Sequence, residues 1–125
     1  MNIPPPYTAL HVACLCAAWC RLCDDYGPVF NGVTQGLRAE RPGLQVHWID
    51  IEDEAALLGE FDVETFPTVV VVDATNVRFA GPLQPQPETL QRVLRSTLAD
   101  AHARVPATPA LQAFAERLRL RRAGP

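Results

Sequence analysis

The sequence predicts a single α/β domain, and three observations carry that expectation. Apolar runs of strand character alternate with stretches of helical spacing in the order β-α-β-α-β-β-α-α. At 125 residues the chain has room for one ordinary domain, with enough core to fold without staples. Its 48% hydrophobic and 20% charged residues place it among globular proteins, away from disordered, collagen-like or coiled-coil compositions.

The elements follow in chain order. Residues 9–16, Ala-Leu-His-Val-Ala-Cys-Leu-Cys, form a short continuous apolar run of the kind that makes a strand buried on both faces. Beyond Ala17-Ala18-Trp19, the positions Val29, Phe30, Val33 and Leu37 recur at helical spacing, which predicts a helix over about residues 20–40. Asp24 and Asp25 in its early turns suit the positive end of the helix dipole, and Gly27-Pro28 is expected to kink it. Arg41-Pro42-Gly43 stops this helix, and residues 44–51 then alternate with a strand period. Residues 52–61 can form a short helix. The β-branched run 68–72, preceded by Phe66-Pro67, reads as a second buried strand. Asp73-Ala74-Thr75-Asn76 is turn chemistry, so residues 77–80 complete a hairpin that Gly81-Pro82 ends. After a Pro-Gln linker at 83–87, residues 88–103 carry Leu90, Val93, Leu94 and Leu98 on one face, an amphipathic helix. A last helix is expected to start with Thr108 as N-cap and Pro109 at the first helical position, and to run to about Arg122.

Charge and hydropathy exclude several function classes. The formal charge of −3 arises from 11 arginines, no lysine and 14 acidic residues, which argues against general nucleic-acid binding. Arg104, Arg117, Arg119, Arg121 and Arg122 face Glu116 alone in residues 101–125, and the expected form is a surface helix with a solvated arginine face. No apolar run approaches the roughly 20 residues that cross a bilayer. Residues 1–7 hold three consecutive prolines and no basic residue, unlike a secretory signal. The expectation is a cytoplasmic protein without membrane association.

Cysteine usage is more specific. Cys14, Cys16, Cys20 and Cys23 all lie within ten residues, which marks a site rather than a spread disulfide framework. Cys20-Arg21-Leu22-Cys23 is a C-x-x-C at the turn where a buried strand gives way to a helix. Cys20 there faces unpaired amide donors and the positive helix end, which favour a thiolate and make it the expected nucleophile. Cys23, one turn deeper, is positioned to resolve a mixed disulfide. Cys14 and Cys16 stand two apart on a strand and so project to one face. They read as small core residues, with a second redox pair or a four-thiolate metal site as sharper alternatives. Ligands drawn from one short segment argue against the metal, because structural zinc sites usually use two knuckles. His11, His47 and His102 show no partner spacing and read as surface or packing residues. Asp50, Glu52, Asp53 and Glu54 read as a solvated helix start.

Trp19-Cys20-Arg21-Leu22-Cys23, Pro28 five residues beyond, Phe66-Pro67-Thr68 and Gly81 together resemble the thioredoxin family, over about residues 10–98. The resemblance implies a thioredoxin-like fold with a central mixed β-sheet flanked by helices, lacking the family's first βα unit and carrying an extra C-terminal helix. Residues 1–104 would form that domain, and 105–125 an arginine-rich helical extension of it. The implied activity is thiol-disulfide exchange with protein substrates through Cys20 and Cys23. A thiol reductant or a thioredoxin-reductase-like donor would feed it, with no cofactor and no metal. Pro67, in a cis bond, would pack opposite the disulfide, and with Phe66 and Trp19 shape the groove for an extended substrate segment.

The departures from the family carry their own expectations. Arg21-Leu22 replaces Gly-Pro between the cysteines, and a guanidinium beside Cys20 should make the pair more oxidising. The family's buried carboxylate falls at Cys14 and its companion lysine at Trp48, so proton transfer to and from Cys23 loses its usual helper. The missing βα unit leaves a sheet edge for a second copy or a partner to cover. These departures support an alternative, a thioredoxin-fold adaptor or chaperone-like binding subunit with little turnover.

Overall fold

The computed structural model describes residues 10–84 and 86–122, so residues 1–9, residue 85 and residues 123–125 lie outside the described part, among them the start of the strand expected from residue 9. Its elements are β1 (His11–Cys16), α1 (Arg21–Glu40), β2 (Gln45–Asp50), α2 (Ala55–Leu58), β3 (Thr68–Val72), β4 (Val77–Pro82), α3 (Pro87–Ala99) and α4 (Pro109–Leu120). The order is the one the patterning predicts. The helix expected over 52–61 contracts to the single turn α2, and α3 stops short of residue 103. The strands form one mixed sheet in the order β2-β1-β3-β4, with β1 and β2 parallel and the other neighbours antiparallel.

Every residue of β1 and β3 is buried, and their period of two divides them between two cores. Val12, Cys14 and Cys16 join Val69 and Val71 on one face, closed by Cys23, Tyr26, Phe30 and Leu37 of α1 and by Leu90, Leu94 and Leu98 of α3. Ala13 and Leu15 join Val70, Val72 and Ile49 on the other, closed by Leu58 of α2 and by Leu111, Phe114, Ala115 and Leu118 of α4. The added C-terminal helix therefore lies over a face of the sheet and supplies its second layer. Thr108 caps it as expected, its hydroxyl accepting from the Leu111 amide at 3.2 Å.

The arginines of α4 depart from the solvated face expected of them. Arg117 donates to the Leu57 carbonyl at 2.7 Å and the Leu58 carbonyl at 3.1 Å, at the end of α2. Arg119 donates to the Asp73 carbonyl at 2.6 Å, in the β3–β4 turn. Arg121 pairs with the Glu54 carboxylate at 2.7 and 2.9 Å. Helix ends and turns leave carbonyls without backbone partners, and the fork of a guanidinium reaches them from a neighbouring layer. Arg104 and Arg122 are exposed, as expected. Gly59 follows α2 at a φ of 56°, and a Cβ at that position would run into the Arg117 guanidinium. Glycine is thus required there by both backbone and neighbour. The acidic cluster is likewise engaged: Asp50 accepts from the Glu52 amide at 2.8 Å, and Glu54 holds Arg121.

Two histidines expected to lack a partner relation are joined. His11 on β1 and His47 on β2 are fully buried, their rings stack at 5.1 Å, and His11 Nδ1 lies 2.9 Å from His47 Nε2. Arg121 Nη1 sits 2.9 Å from His47 Nδ1. A guanidinium only donates, so His47 Nδ1 accepts and its hydrogen resides on Nε2, donated to His11. Parallel pairing sets His11 beside Gln45, and the same-face neighbour two residues on is His47. Burial, reinforced by His11 and Arg121, pushes His47 down to about 3 from 6.5.

Among the described residues no helix is long and apolar enough to cross a membrane.

Two outcomes are expected. Phe114 is fully buried and stacks on Phe61 at 5.3 Å. Phe114→Ala should therefore lower the unfolding free energy by about 3–5 kcal/mol in urea titration, and a loss below 1 kcal/mol would contradict the role of α4 as a core layer. Between pH 6.5 and about 3 the unfolded chain binds a proton at His47 that the folded chain refuses. Stability should be full above that window and fall with pH by about 1.4 kcal/mol per unit from this residue. His47→Gln, which keeps one donor and one acceptor, should show a correspondingly shallower decline in urea midpoints between pH 7.5 and 5.

Candidate functional site

The site forms where β1 runs out beneath the start of α1. The chain turns through residues 17–19, with the Cys20 amide donating to the Ala17 carbonyl at 3.0 Å. Cys20 is the N-cap of α1 in extended conformation (φ −89°, ψ 110°), and its carbonyl accepts from the Cys23 amide at 3.1 Å and the Asp24 amide at 3.4 Å. Its side chain caps no amide, so the half-buried sulfur stands at the positive end of a 20-residue helix with the first-turn donors nearby. Cys23 is one turn further in and buried. All four cysteines are free thiols.

The four cysteines gather in one core: Cys14, Cys16 and Cys23 belong to one buried cluster, and Cys20 packs against it. Cys16 Sγ lies 3.7 Å from Cys14 Sγ. Burial pushes the Cys23 thiol well above its ordinary range, and the neighbouring Cys16 adds to this, while the Ala17 backbone opposes it. The Cys16 thiol is raised too, first by its bond to Cys14 and then by burial. The expectation that Cys14 and Cys16 share a face and belong to the core is met. That Cys23 enters the same core is not readable from spacing, because it depends on how α1 settles on the sheet. Cys14 pairs with Trp48 across β1 and β2, and Trp48 covers Phe30 at a ring separation of 5.9 Å.

An apolar rim surrounds Cys20. Trp19 is 67% exposed and meets Phe66 edge-on, with ring centroids 5.5 Å apart at 87°. Leu22 is 52% exposed, and Arg21 beside it is also exposed. The Phe66–Pro67 bond is cis and Pro67 is buried. The structure thus brings Trp19, Cys20, Cys23 and the Phe66–Pro67 loop together, and sets Arg21 and Leu22 on the outward side of the first turn. Among the described residues no group of three His, Cys, Asp or Glu side chains is arranged to hold a metal ion.

Sequence reasoning missed Tyr26. It lies three residues after Cys23, the helical spacing that puts both on the sheet side of α1. It is fully buried, and its hydroxyl has no hydrogen-bond partner among the described residues. Burial, with Cys14 and Cys16 contributing, pushes its ionisation well above the ordinary range. An unpartnered buried hydroxyl costs about 1–3 kcal/mol. Tyr26→Phe should accordingly unfold at a higher urea concentration than the parent, by about 1 kcal/mol. A destabilised variant would reveal a hydrogen bond to that oxygen.

No protein-family model matches the chain. It is 32% identical over 56 residues to protein disulfide-isomerase A4 of Bos taurus, covering 45% of this chain and 9% of that protein. It is 29% identical over 87 residues to sulfhydryl oxidase 1 of Homo sapiens, covering 68% of this chain and 12% of that protein. The chain thus spans about a tenth of the length of the curated relatives it matches. Among solved structures, the first two thioredoxin domains of Saccharomyces cerevisiae Eps1p superpose with a TM-score of 0.66 at 18% identity, over 78% of this chain and 38% of that one. The mixed four-stranded sheet, the cysteine pair at the first helix start and the cis proline facing the same region agree with that likeness. The chain has the thioredoxin-like fold.

Proposed function

We propose that the chain is a thiol-disulfide oxidoreductase that exchanges disulfides with protein substrates through Cys20 and Cys23. The observation that supports this best is the half-buried Cys20 at the start of α1, packed against the core that holds the buried Cys23 one turn behind it. Both curated relatives carry names of thiol chemistry, an isomerase of protein disulfides and a sulfhydryl oxidase, which supports an oxidoreductase-type role.

In the reducing direction the Cys20 thiolate attacks one sulfur of a substrate disulfide. A Cys20–substrate bond forms, and the other substrate sulfur leaves as a thiolate that takes up a proton. Cys20 stands at the N-terminus of α1, where the first-turn amides have no partner within the helix. Cys23 then gives up its proton and attacks Cys20 Sγ, the second substrate sulfur leaves, and the protein holds a Cys20–Cys23 disulfide. Burial keeps Cys23 protonated until the mixed disulfide is in place. Arg21, the next residue and exposed, carries positive charge on the same turn as the attacking Cys20 sulfur. Trp19, Leu22 and the Phe66–Pro67 loop offer an apolar rim along which an extended substrate segment can lie.

Reduction of insulin by dithiothreitol, followed as turbidity, tests this reading. The parent protein should accelerate precipitation, and Cys20→Ser should return it to the uncatalysed rate. Cys23→Ser should instead trap a mixed disulfide visible by mass spectrometry. A Cys20→Ser variant as fast as the parent would overturn the proposal, and a parent no faster than buffer would favour the adaptor reading.

A further inference from the structure

The two buried cysteines behind the pair share a core with it. Cys14 and Cys16 project from β1 to the side that receives α1, at 0% and 2% exposure. Their sulfurs are 3.7 Å apart, and both belong to the buried cluster that holds Cys23 and against which Cys20 packs. Two residues along a strand span about 6.6 Å between Cα atoms. That lies within the range of roughly 4.4–6.8 Å that a disulfide bridges. Hydrophobic side chains of similar volume would fill the same space, yet β1 places two sulfurs in contact there, in the core that Cys23 also enters.

We propose that Cys14 and Cys16 are a second, interior dithiol connected through Cys23 to the surface pair, so that the protein stores four reducing electrons rather than two. The inference rests on the exchange reaction proposed for Cys20 and Cys23. Starting from the Cys20–Cys23 disulfide, the Cys16 sulfur attacks Cys23 Sγ. The Cys16–Cys23 bond forms, the Cys20–Cys23 bond breaks, and Cys20 takes up a proton as Cys16 releases one. The Cys14 sulfur then attacks Cys16 Sγ, the Cys16–Cys23 bond breaks, and Cys23 takes up the proton that Cys14 gives up. The result is a Cys14–Cys16 disulfide with the surface pair reduced again, so that two electrons have moved outward. The bond to Cys14, and after it burial, holds the proton on Cys16, which makes the interior step slower than exchange at the surface and faster in alkaline solution.

Oxidised glutathione is a suitable probe, because a charged tripeptide disulfide can meet Cys20 but not side chains with 0% and 2% exposure. Complete reaction converts four protein thiols to two disulfides and two glutathione disulfides to four glutathione thiols. The chain has no lysine and its first arginine is Arg21, so trypsin yields a peptide 1–21 with Cys14, Cys16 and Cys20, and a peptide 22–38 with Cys23. After one equivalent of oxidised glutathione, an acid quench and alkylation, the expected product is peptide 1–21 closed by a Cys14–Cys16 loop, with Cys20 and the separate Cys23 peptide alkylated. Excess oxidant should remove four thiols per chain from the parent and two from the Cys14→Ala/Cys16→Ala double variant. In Cys23→Ser, Cys14 and Cys16 should stay reduced while Cys20 is glutathionylated. A parent that loses only two thiols, all of it as peptides 1–21 and 22–38 joined through Cys20, would overturn the interior dithiol and leave the surface reaction standing. Oxidation of Cys14 and Cys16 in Cys23→Ser would overturn the connection through Cys23. Failure of Cys20 and Cys23 themselves to react would remove the exchange on which both readings rest.

Discussion

Every side chain of β1 is taken out of water, and a strand with no solvated face obliges the chain to supply a layer of helix on each side. One layer comes from α1 and α3, whose apolar faces the sequence displays plainly. The other comes from α2 and α4, and α2 is a single turn, so α4 provides most of the apolar cover for Ala13, Leu15, Val70 and Val72. The C-terminal extension is thus part of the domain in energetic terms. Its arginines secure it by donating to carbonyls that helix and turn ends leave open, interactions that cost little desolvation because the guanidinium stays near the rim.

The same strand sets the chemistry. Side chains alternate across β1, so the residues that share a face with the helix start are Val12, Cys14 and Cys16. α1 begins four residues after β1 ends, which brings Cys20 and Cys23 over that face. The result is a gradient of burial along four sulfurs, from a half-buried one at the positive end of a helix to others with almost no access to solvent. Burial separates the four, and Cys20 is the sulfur that a group from outside can reach. The core that Cys23 enters holds the Cys14 and Cys16 thiols and the Tyr26 side chain.

Much of the candidate site was legible in particular residues. Trp19-Cys20-x-x-Cys23 following an apolar strand, and Phe66-Pro67 preceding a β-branched one, located the cysteine pair and the loop whose Phe66 meets Trp19. The pairing of Trp19 with Phe66, which lie 47 positions apart, follows from β1 and β3 being neighbours in the sheet. The histidines illustrate the opposite case. His11 and His47 carry no motif, and their contact arises from the parallel register of β1 on β2, which pattern alone leaves open. Tyr26 has the right helical spacing from Cys23, but a lone tyrosine in an amphipathic helix resembles ordinary core.

The sequence by itself determined the element order, the two fully buried strands, the caps of α4 and the placement of a C-x-x-C at a helix start, because each depends on local periodicity and on which backbone conformations a residue tolerates. Only the tertiary structure decided that the last helix lies on the open face of the sheet, that its arginines reach backbone carbonyls, and that four cysteines gather in one core. Those outcomes depend on strand register and helix docking, where distant segments satisfy one another's apolar surface and unpaired polar groups, and no local pattern encodes which partner each will find.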